Sequence, residues 1–352
     1  MLIQPKDEIC LAVNQLLKLQ KPFVFYRKSG SNQLVSLIQN DMELYTTDVF
    51  TESGFVMAPF DIQQNIPIII PLSKSHLERF DLSALKKVTV HSMQEDADES
   101  TKESHIDLVQ KTIDYILERS ANKIVISRML SVLFSKDKVG ELFEDLLKVY
   151  PDAMVSIWYH PKVGLWLGAT PERLLLLEKN EFSTMSLAGT QLFTDSVVWL
   201  TKEKEEQKWV TDFIVNQLLP IIDNIEISKP FTAKAGHLAH LKTIISGELA
   251  SGFNLKNLIK ALHPTPAVCG SPRNSAKNFI LKNETYDREF YTGFLGELNM
   301  NNTTDLYVNL RCMQLKDRYA KLYVGGGITK DSNPLAEWEE TVNKAKVLKQ
   351  LL

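Results

Sequence analysis

Apolar positions recur along this chain with two spacings, and each spacing predicts a different kind of element. Spacings of three and four residues predict amphipathic helices, whereas alternating or β-branched runs predict strands. The predicted helices cover residues 8–19, 106–117, 202–219 and 253–262, and the predicted strands cover 22–26, 34–38, 122–128, 154–159, 164–168, 174–177, 306–313 and 319–324. Because long strands alternate with helices, the pattern predicts an α+β fold with a large sheet core and flanking helices.

Composition places the protein among soluble globular chains. The 352 residues are 44% hydrophobic and 24% charged with a net charge of −3, and no basic face suggests a nucleic-acid partner. The longest apolar run, residues 66–72, is too short to span a membrane. Three cysteines, Cys10, Cys269 and Cys312, lack metal-ligand spacing and favour a reducing, cytoplasmic location. We expect a monomer or a weak homodimer.

One polar stretch separates the last apolar helix of this pattern from the elements that follow. Residues 262–270 read LHPTPAVCG and are followed by SPR. Each proline biases the residue before it toward extended geometry, so the segment is a stiff, non-helical loop. Ser271 and Pro272 then predict the N-cap and first position of another helix. Composition alone also fits an ordinary proline-rich turn.

A longer pattern around this loop is similar to a known family. HPTPAVCGSPR at 263–273, followed by YDREFYTGFLGELN at 286–299, resembles the signature of the chorismate-binding enzymes. These are the isochorismate, salicylate, anthranilate and aminodeoxychorismate synthases, and the HPTPA form is most similar to the isochorismate synthases. The resemblance runs from about residue 103 to the end and leaves residues 1–102 as a variable N-terminal part. It implies one intertwined domain, 1–352, with α/β/α layers and a substrate cleft between two large sheets.

The resemblance implies two catalytic residues. Lys123 begins KIVISR, which resembles the strand where the family places a lysine that activates water, although a lysine there is by default a solvated strand end. Such a base must lose its proton far below the usual lysine pKa of about 10.4, which requires burial or nearby cations. Glu172 in GATPERLLLL matches the family's general acid, and its alternative is a surface pair with Arg173. Apolar surroundings would raise the pKa of Glu172, as a general acid requires.

Two further segments resemble the family's substrate-binding segments. Ala188, Gly189 and Thr190 match its LAGT turn, and aminodeoxychorismate synthases carry a nucleophilic lysine at the position of Ala188. Because alanine cannot form a covalent adduct, that chemistry is disfavoured. His240 and Thr243 match the HLxT segment and are assigned to substrate positioning, although a lone histidine is often a core residue and His237 offers a competing register.

Paired glutamates predict a metal site. Glu203 and Glu206 share one face of a predicted helix, and Glu337 and Glu340 form a second pair with the same spacing. Charge runs at helix starts are usually solvated, but two such pairs supply the oxygen ligands that Mg²⁺ prefers. The resemblance implies that they hold a magnesium ion that clamps the ring carboxylate of chorismate. Lys344, one turn after Glu340, completes the family's ExxExxxK pattern.

The first glutamate pair departs from the family form. The family usually has Asp-Arg near this pair and histidine after its second glutamate, whereas this chain has Glu203-Lys204 and Gln207. The ligand carboxylates are retained, and the residues that orient them differ.

The last third of the chain predicts carboxylate recognition. Tyr291 and Arg311 match the family's pair that binds the enolpyruvyl carboxylate, and guanidinium is a planar fork of donors suited to it. Gly325 and Gly327 follow a predicted strand, where backbone N–H groups can approach an anion closely. The glycine spacing does not match a dinucleotide-binding motif.

Together these patterns predict a Mg²⁺-dependent isochorismate synthase with chorismate as its small-molecule substrate. In this hypothesis Lys123 activates water for attack at C2, and Glu172 protonates the C4 hydroxyl as it leaves. A salicylate synthase, which eliminates pyruvate on the same residues, is the alternative within the family. A non-catalytic chorismate-binding relative is the alternative from another class. The sequence does not distinguish menaquinone from siderophore biosynthesis.

Overall fold

The computed structural model describes residues 5–85, 101–119, 121–194, 196–235 and 238–352. Its helices are α1 (Pro5–Lys18), α2 (Lys102–Arg119), α3 (Val139–Val149), α4 (Thr201–Leu218), α5 (Leu255–Leu262), α6 (Arg273–Asn283) and α7 (Pro334–Lys349). Its strands are β1 (Phe23–Arg27), β2 (Gln33–Gln39), β3 (Tyr45–Thr46), β4 (Gly54–Ala58), β5 (Ile68–Pro71), β6 (Ser75–Asp81), β7 (Lys123–Leu133), β8 (Met154–His160), β9 (Gly164–Thr170), β10 (Arg173–Glu178), β11 (Glu181–Leu192), β12 (Ile222–Ile227), β13 (Phe231–Ala235), β14 (Leu238–Leu249), β15 (Gly270–Ser271), β16 (Phe294–Met300), β17 (Thr303–Val308), β18 (Cys312–Lys316) and β19 (Tyr319–Ile328).

Within the described residues the strands form two large antiparallel sheets. The first has the order β15-β7-β19-β18-β9-β8-β1-β2-β6. The second has the order β12-β14-β11-β10-β17-β16-β4-β5-β3, with β13 paired to β14. Strands from before residue 102 lie in both sheets, so the N-terminal part and the motif-bearing part share both of them.

Side-chain alternation along the strands builds the layers. On β1, Val24 and Tyr26 belong to the apolar cluster between the two sheets, whereas Phe23 and Phe25 pack under α1 and α3. The two sheets therefore pack face to face, with helices on their outer sides. The predicted α+β fold class, with sheets at the core and helices outside, is confirmed. Among the described helices, none has the length and apolar character needed to cross a membrane.

The structure corrects the predicted strand at 306–313. That segment is two strands, β17 in the second sheet and β18 in the first, joined by residues 309–311. Arg311 has a left-handed φ of 47°, so regular strand geometry ends in this crossing segment, where the chain passes from the second sheet to the first. Arg311 is therefore fixed between the two sheets.

The end of one predicted strand and the start of one predicted helix also differ between the prediction and the structure. The strand predicted at 319–324 continues through the glycines to Ile328, because Gly325, Gly326 and Gly327 pair with β7. Ser271 lies in β15 and Pro272 is the N-cap residue of α6, one position later than predicted.

Helix α7 begins at Pro334, after an N-cap asparagine. The side chain of Asn333 accepts hydrogen bonds from the N–H groups of Leu335 and Ala336, both at 3.1 Å, and proline occupies the first helical position. This start places Glu337 and Glu340 three residues apart on one helix face.

Candidate active site

A cavity of about 330 Å³ lies where the crossing segment between β17 and β18 meets the start of β7 and the glycine-rich end of β19. Residues from distant parts of the sequence converge on it. Its walls include the predicted catalytic pair, the four predicted metal ligands and most predicted substrate-binding residues: Lys123, Glu172, Ala188, Gly189, Glu203, Glu206, His240, Tyr291, Arg311, Gly325, Gly327, Glu337, Glu340 and Lys344. The structure therefore assembles one site from motifs that span more than two hundred residues.

Thr243 is not among the described residues that line the cavity. It is buried on β14, and its hydroxyl accepts a hydrogen bond from Gln207 Nε2 at 2.8 Å. The same Gln207 amide donates to Ser186 Oγ at 2.8 Å, so it joins α4 to β11 and β14. The structure therefore places the Thr243 hydroxyl against α4, and its assignment to substrate positioning stays a prediction. The side chain of Thr190 and all of His237 lie outside the described part of the chain.

Lys123 is held at the end of β7 by neighbouring strands on both sides. Ser271 of β15 pairs with Lys123, and Ile328 of β19 pairs with the following residue, Ile124. Gly327 leaves room for the lysine side chain, because a Cβ atom added there would lie 2.4 Å from Lys123 Cε. The lysine therefore extends across a glycine, and its position depends on the absence of a side chain at 327.

The Nζ atom of Lys123 forms an ion pair with Oε1 of Glu206. The lysine side chain is 7% exposed and the glutamate side chain 30% exposed. In this contact the lysine is a hydrogen-bond donor, whereas a general base must accept a proton. The predicted base and a predicted metal ligand are therefore bound to each other.

Glu172 lies in the turn between β9 and β10 and is buried. The turn is fixed by its backbone, because the carbonyl of Glu172 accepts a hydrogen bond from the N–H of Val308 at 2.9 Å. Burial raises the pKa of Glu172 to about 7, although the charges of Lys123 and Arg311 act in the opposite direction. A carboxyl group with this pKa retains its proton near neutral pH and can donate it.

Arg311 and His240 form a pair on the cavity wall. Arg311 Nη2 lies 3.2 Å from His240 Nε2, and His240 Nδ1 lies 3.1 Å from the carbonyl oxygen of Gly189. These contacts assign one neutral tautomer, in which Nδ1–H donates to the carbonyl and Nε2 accepts from the guanidinium. Burial, and then the positive charge of Arg311, lower the pKa of His240 to about 4. His240 is therefore uncharged at neutral pH and orients Arg311.

The open edge of β19 supplies backbone donors beside Tyr291. Lys344 Nζ donates to the carbonyl of Gly325 at 2.9 Å, so this carbonyl points away from β7. In a β-strand the N–H and C=O groups of one residue point to the same edge of the strand. The N–H and C=O groups of the residue two positions further along point to that edge as well. The N–H groups of Gly325 and Gly327 therefore face the cavity side. A Cβ atom on Gly325 would lie 3.0 Å from the Tyr291 hydroxyl, which places that hydroxyl beside these donors.

The predicted metal ligands differ in their present partners. Glu203 Oε2 is buried and has no hydrogen-bond partner among the described residues. Glu337 Oε1 accepts a hydrogen bond from Ser332 Oγ at 2.7 Å, and Glu340 Oε1 lies 2.6 Å from Lys344 Nζ. Among the described residues, no three histidine, cysteine, aspartate or glutamate side chains are gathered closely enough to hold a metal ion. A metal would therefore have to draw these carboxylates together.

The chemistry of the four glutamates, though not their present spacing, would suit a magnesium ion. All four line one cavity and offer carboxylate oxygens, the donor type that Mg²⁺ prefers. The unpartnered oxygen of Glu203 is a buried acceptor that a cation would satisfy.

Sequence reasoning missed Arg288, which shapes the cavity without lining it. Its buried guanidinium donates to the carbonyls of Val125 at 2.7 Å and Val268 at 3.1 Å, and both valines line the cavity. The charge of Arg288 is neutralised by Glu284, whose Oε1 atom lies 2.6 Å from Arg288 Nη2. Its place in YDREFYTG, three residues before Tyr291, was the available signal. Leu187 and Thr292 also line the wall and lie inside the LAGT and YDREFYTGFLGELN segments, whereas other wall residues lie outside the quoted motifs: Leu310, Tyr323, Thr329 and Leu348.

Comparison with known proteins assigns this site to a class. Residues 60–352 match the family described as chorismate binding enzyme, and the chain belongs to that family. Isochorismate synthase EntC of Escherichia coli strain K12 is 28% identical over 306 residues, which are 80% of this chain and 76% of that protein. Anthranilate synthase component 1 of Aquifex aeolicus is 27% identical over 261 residues, which are 70% of this chain and 52% of that protein.

A solved structure shares the fold. MenF, the menaquinone-specific isochorismate synthase of Escherichia coli, superposes with a TM-score of 0.79 at 20% identity. The match covers 94% of this chain and 88% of MenF. The protein is therefore a chorismate-utilising enzyme with the chorismate-binding fold.

Proposed function

We propose that this protein is an isochorismate synthase, an isomerase that converts chorismate into isochorismate. The observation that carries the proposal is that Lys123 and the buried Glu172, with its pKa of about 7, line the same cavity. The isomerisation needs one group that takes a proton from water and one that gives a proton to the departing hydroxyl. The similarity to isochorismate synthase EntC over 80% of the chain supports the same activity.

Arg311 and the edge of β19 would hold the enolpyruvyl carboxylate. The guanidinium, oriented by neutral His240, supplies charge and a pair of donors. The N–H groups of Gly325 and Gly327 and the Tyr291 hydroxyl supply further donors on the same wall. Because Glu172 and Lys123 line the same cavity as these groups, binding of the carboxylate would place the ring between them.

The proposed reaction conserves all atoms. Lys123 takes a proton from a water molecule, and the water oxygen bonds to C2 of the ring. The two ring double bonds shift, the C4–oxygen bond breaks, and Glu172 protonates the leaving hydroxyl, which departs as water. The proton on Lys123 then returns to Glu172 through solvent, so neither group is consumed.

Mg²⁺ is proposed as the cofactor, and its ligands would be Glu203, Glu206, Glu337 and Glu340. When bound, it supplies positive charge that holds the ring carboxylate of chorismate against these acidic residues. Lys344, already paired with Glu340, offsets carboxylate charge beside the ion.

Alanine at position 188 argues against an aminodeoxychorismate synthase, because the side chain offers no nucleophile. The choice between isochorismate and salicylate as product depends on pocket shape, to which Ala267 and Val268 of the HPTPAVCG loop contribute.

Product analysis tests the proposal. Purified protein is incubated with chorismate and Mg²⁺, products are separated by chromatography, and lactate dehydrogenase reports pyruvate. We expect isochorismate in a reversible mixture with chorismate and little pyruvate. Stoichiometric pyruvate with salicylate would instead identify a salicylate synthase, and pyruvate with anthranilate in the presence of ammonia would identify the anthranilate branch. Tight chorismate binding without conversion would identify a non-catalytic relative.

A further inference from the structure

A second cavity lies against the two ends of the HPTPAVCG loop. It has a volume of about 530 Å³ and is lined by His263 and Pro264 at the start of the loop and by Ser271 and Pro272 just after its end. The middle of the same loop, at residues 267 and 268, lines the active-site cavity. One loop therefore forms part of the wall of both cavities.

The charge of this second cavity is positive. Lys260, Arg273 and Lys277 line it, and none of the described lining residues is acidic. Lys277 is neutralised, because its Nζ atom lies 2.7 Å from Asp61 Oδ1. Lys260, in the last turn of α5, is exposed to solvent. Burial lowers the pKa of His263 to about 4, so this histidine adds no charge at neutral pH.

Arg273 contributes a charge that neutral groups hold in place. Its guanidinium donates to the carbonyls of Lys260, His263 and Ala261 at 2.8, 3.0 and 3.1 Å, and to Gln217 Oε1 at 2.7 Å. All four acceptors are uncharged, so these contacts satisfy its donors and leave its positive charge uncompensated by them. A partly buried cation of this kind favours an anion nearby.

Apolar side chains complete the walls. Phe60, Ile62 and Phe213 line the cavity together with the two prolines, and the Arg273 guanidinium lies 4.9 Å from the centre of the Phe213 ring. Ligand cavities of several hundred Å³ with apolar walls and a few polar groups are typical of small-molecule sites. Since most donors of Arg273 are already used and Lys277 pairs with Asp61, Lys260 is, among the described lining residues, the cation whose side chain has no hydrogen-bonded or ion-paired partner. One such cation suits a singly charged group better than phosphate.

We propose that this second cavity binds a small carboxylate with an apolar ring, and that the bound ligand alters chorismate binding through the HPTPAVCG loop. The carboxylate pairs with Lys260 and lies in the field of Arg273, while the ring packs against Phe60, Ile62 and Phe213. A ligand that contacts both ends of the loop shifts the positions of Ala267 and Val268 in the active-site wall.

Isothermal titration calorimetry with benzoate, the smallest aromatic carboxylate, tests the binding part without relying on the proposed reaction. We expect saturable binding to the wild type and to Arg311→Ala, which removes the carboxylate-binding cation of the active site. Lys260→Glu should weaken binding about tenfold, since it places a negative charge beside the carboxylate. Inorganic phosphate should bind more weakly than benzoate.

Lys282→Glu is the matched control, because it makes the same charge change at an exposed position of α6 outside both cavities. It should leave benzoate binding unchanged. Loss of binding in Arg311→Ala with retention in Lys260→Glu would place benzoate in the active site and overturn the proposal, as would the absence of saturable binding.

Steady-state kinetics tests the coupling part. Saturating benzoate should change the apparent KM for chorismate in the wild type and in Lys282→Glu, and should leave it unchanged in Lys260→Glu. An identical benzoate effect in all three proteins, or no effect in a wild type that binds benzoate, contradicts coupling through the loop.

Discussion

Lys123 Nζ and Glu206 Oε1 form an ion pair that joins β7 to α4 at the wall of the active-site cavity. One partner is the proposed proton acceptor, and the other is a proposed magnesium ligand. The same carboxylate cannot serve the ammonium and the metal fully at once. Metal binding and release of Lys123 for catalysis are therefore expected to be linked.

The first prediction concerns this link. Activity should be lost in EDTA and return with Mg²⁺, and Glu206→Gln and Glu340→Gln should each lose most of it because they remove ligand charge. Calorimetry should show weaker Mg²⁺ binding in both variants. Glu205→Gln, on the same helix but exposed and outside the cavity, is the matched control and should retain both activity and Mg²⁺ affinity. Full activity in the presence of the chelator would contradict the proposal that the enzyme depends on a metal ion held by these glutamates.

The second prediction is a pH dependence set by Glu172. Its protonated form is the proton donor, so kcat/KM should fall as the pH rises above about 7, the value to which burial raises its pKa. A profile that stays flat from pH 6 to 9 contradicts this role.

The same raised pKa predicts a stability effect. Because the folded-state pKa of Glu172 lies above its ordinary value of 4.5, its contribution to stability is fully present below pH 4.5 and is lost as the pH rises through 7. Relative to Glu172→Gln, the free energy of unfolding of the wild type should fall by roughly 3 kcal/mol between pH 4.5 and 7. Urea unfolding of both proteins across this range measures it, and parallel curves would refute the raised pKa.

The third prediction uses the contact between Gly327 and Lys123. Gly327→Ala should lower turnover about tenfold, because the added methyl group would displace the end of the Lys123 side chain from its present position. Gly326→Ala is the comparison, since its methyl group would lie 3.3 Å from Glu337 Oε2 and should reduce Mg²⁺ affinity instead. Steady-state kinetics at saturating Mg²⁺ separates the two effects. Equal turnover in Gly327→Ala and wild type would show that Lys123 does not depend on this space.

The fourth prediction separates binding from chemistry. Lys123→Ala and Glu172→Ala should abolish turnover and leave chorismate binding measurable, because neither is proposed to hold a carboxylate. Arg311→Ala should weaken binding about 100-fold, since it leaves a substrate charge unpaired. Calorimetry with chorismate measures all three variants. Near-normal turnover in Lys123→Ala would require another base.

Much of the site could be predicted because its chemistry lies in contiguous motifs. Lys123, Glu172 and Arg311 each lie in a short segment that resembles the family, and the structure places all three in one cavity. Contacts between distant segments could not be predicted in the same way. The pairing of Lys123 with Glu206 depends on how α4 packs against the sheets, which no local pattern encodes.

Other differences between the sequence-based predictions and the structure arise from backbone strain and from side chains that bind a different partner than the predicted one. The crossing at Arg311 depends on a left-handed residue that an apolar strand pattern does not reveal. Arg173, considered as a surface partner of Glu172, instead donates to Asp305 at 2.8 Å. Thr243 matches a motif, yet its hydroxyl is bound to Gln207 behind the wall, because strand alternation turns it away from the cavity.

The central claim is that a water oxygen enters at C2 as the C4 hydroxyl leaves, and isotope incorporation tests it most directly. Wild-type protein is incubated with chorismate in water enriched in ¹⁸O, and isochorismate is analysed by mass spectrometry with fragments that report the C2 oxygen. We predict one solvent-derived ¹⁸O atom at C2 of each isochorismate molecule formed. Isochorismate whose C2 oxygen comes from the C4 hydroxyl of chorismate would show an internal transfer and contradict the roles assigned to Lys123 and Glu172.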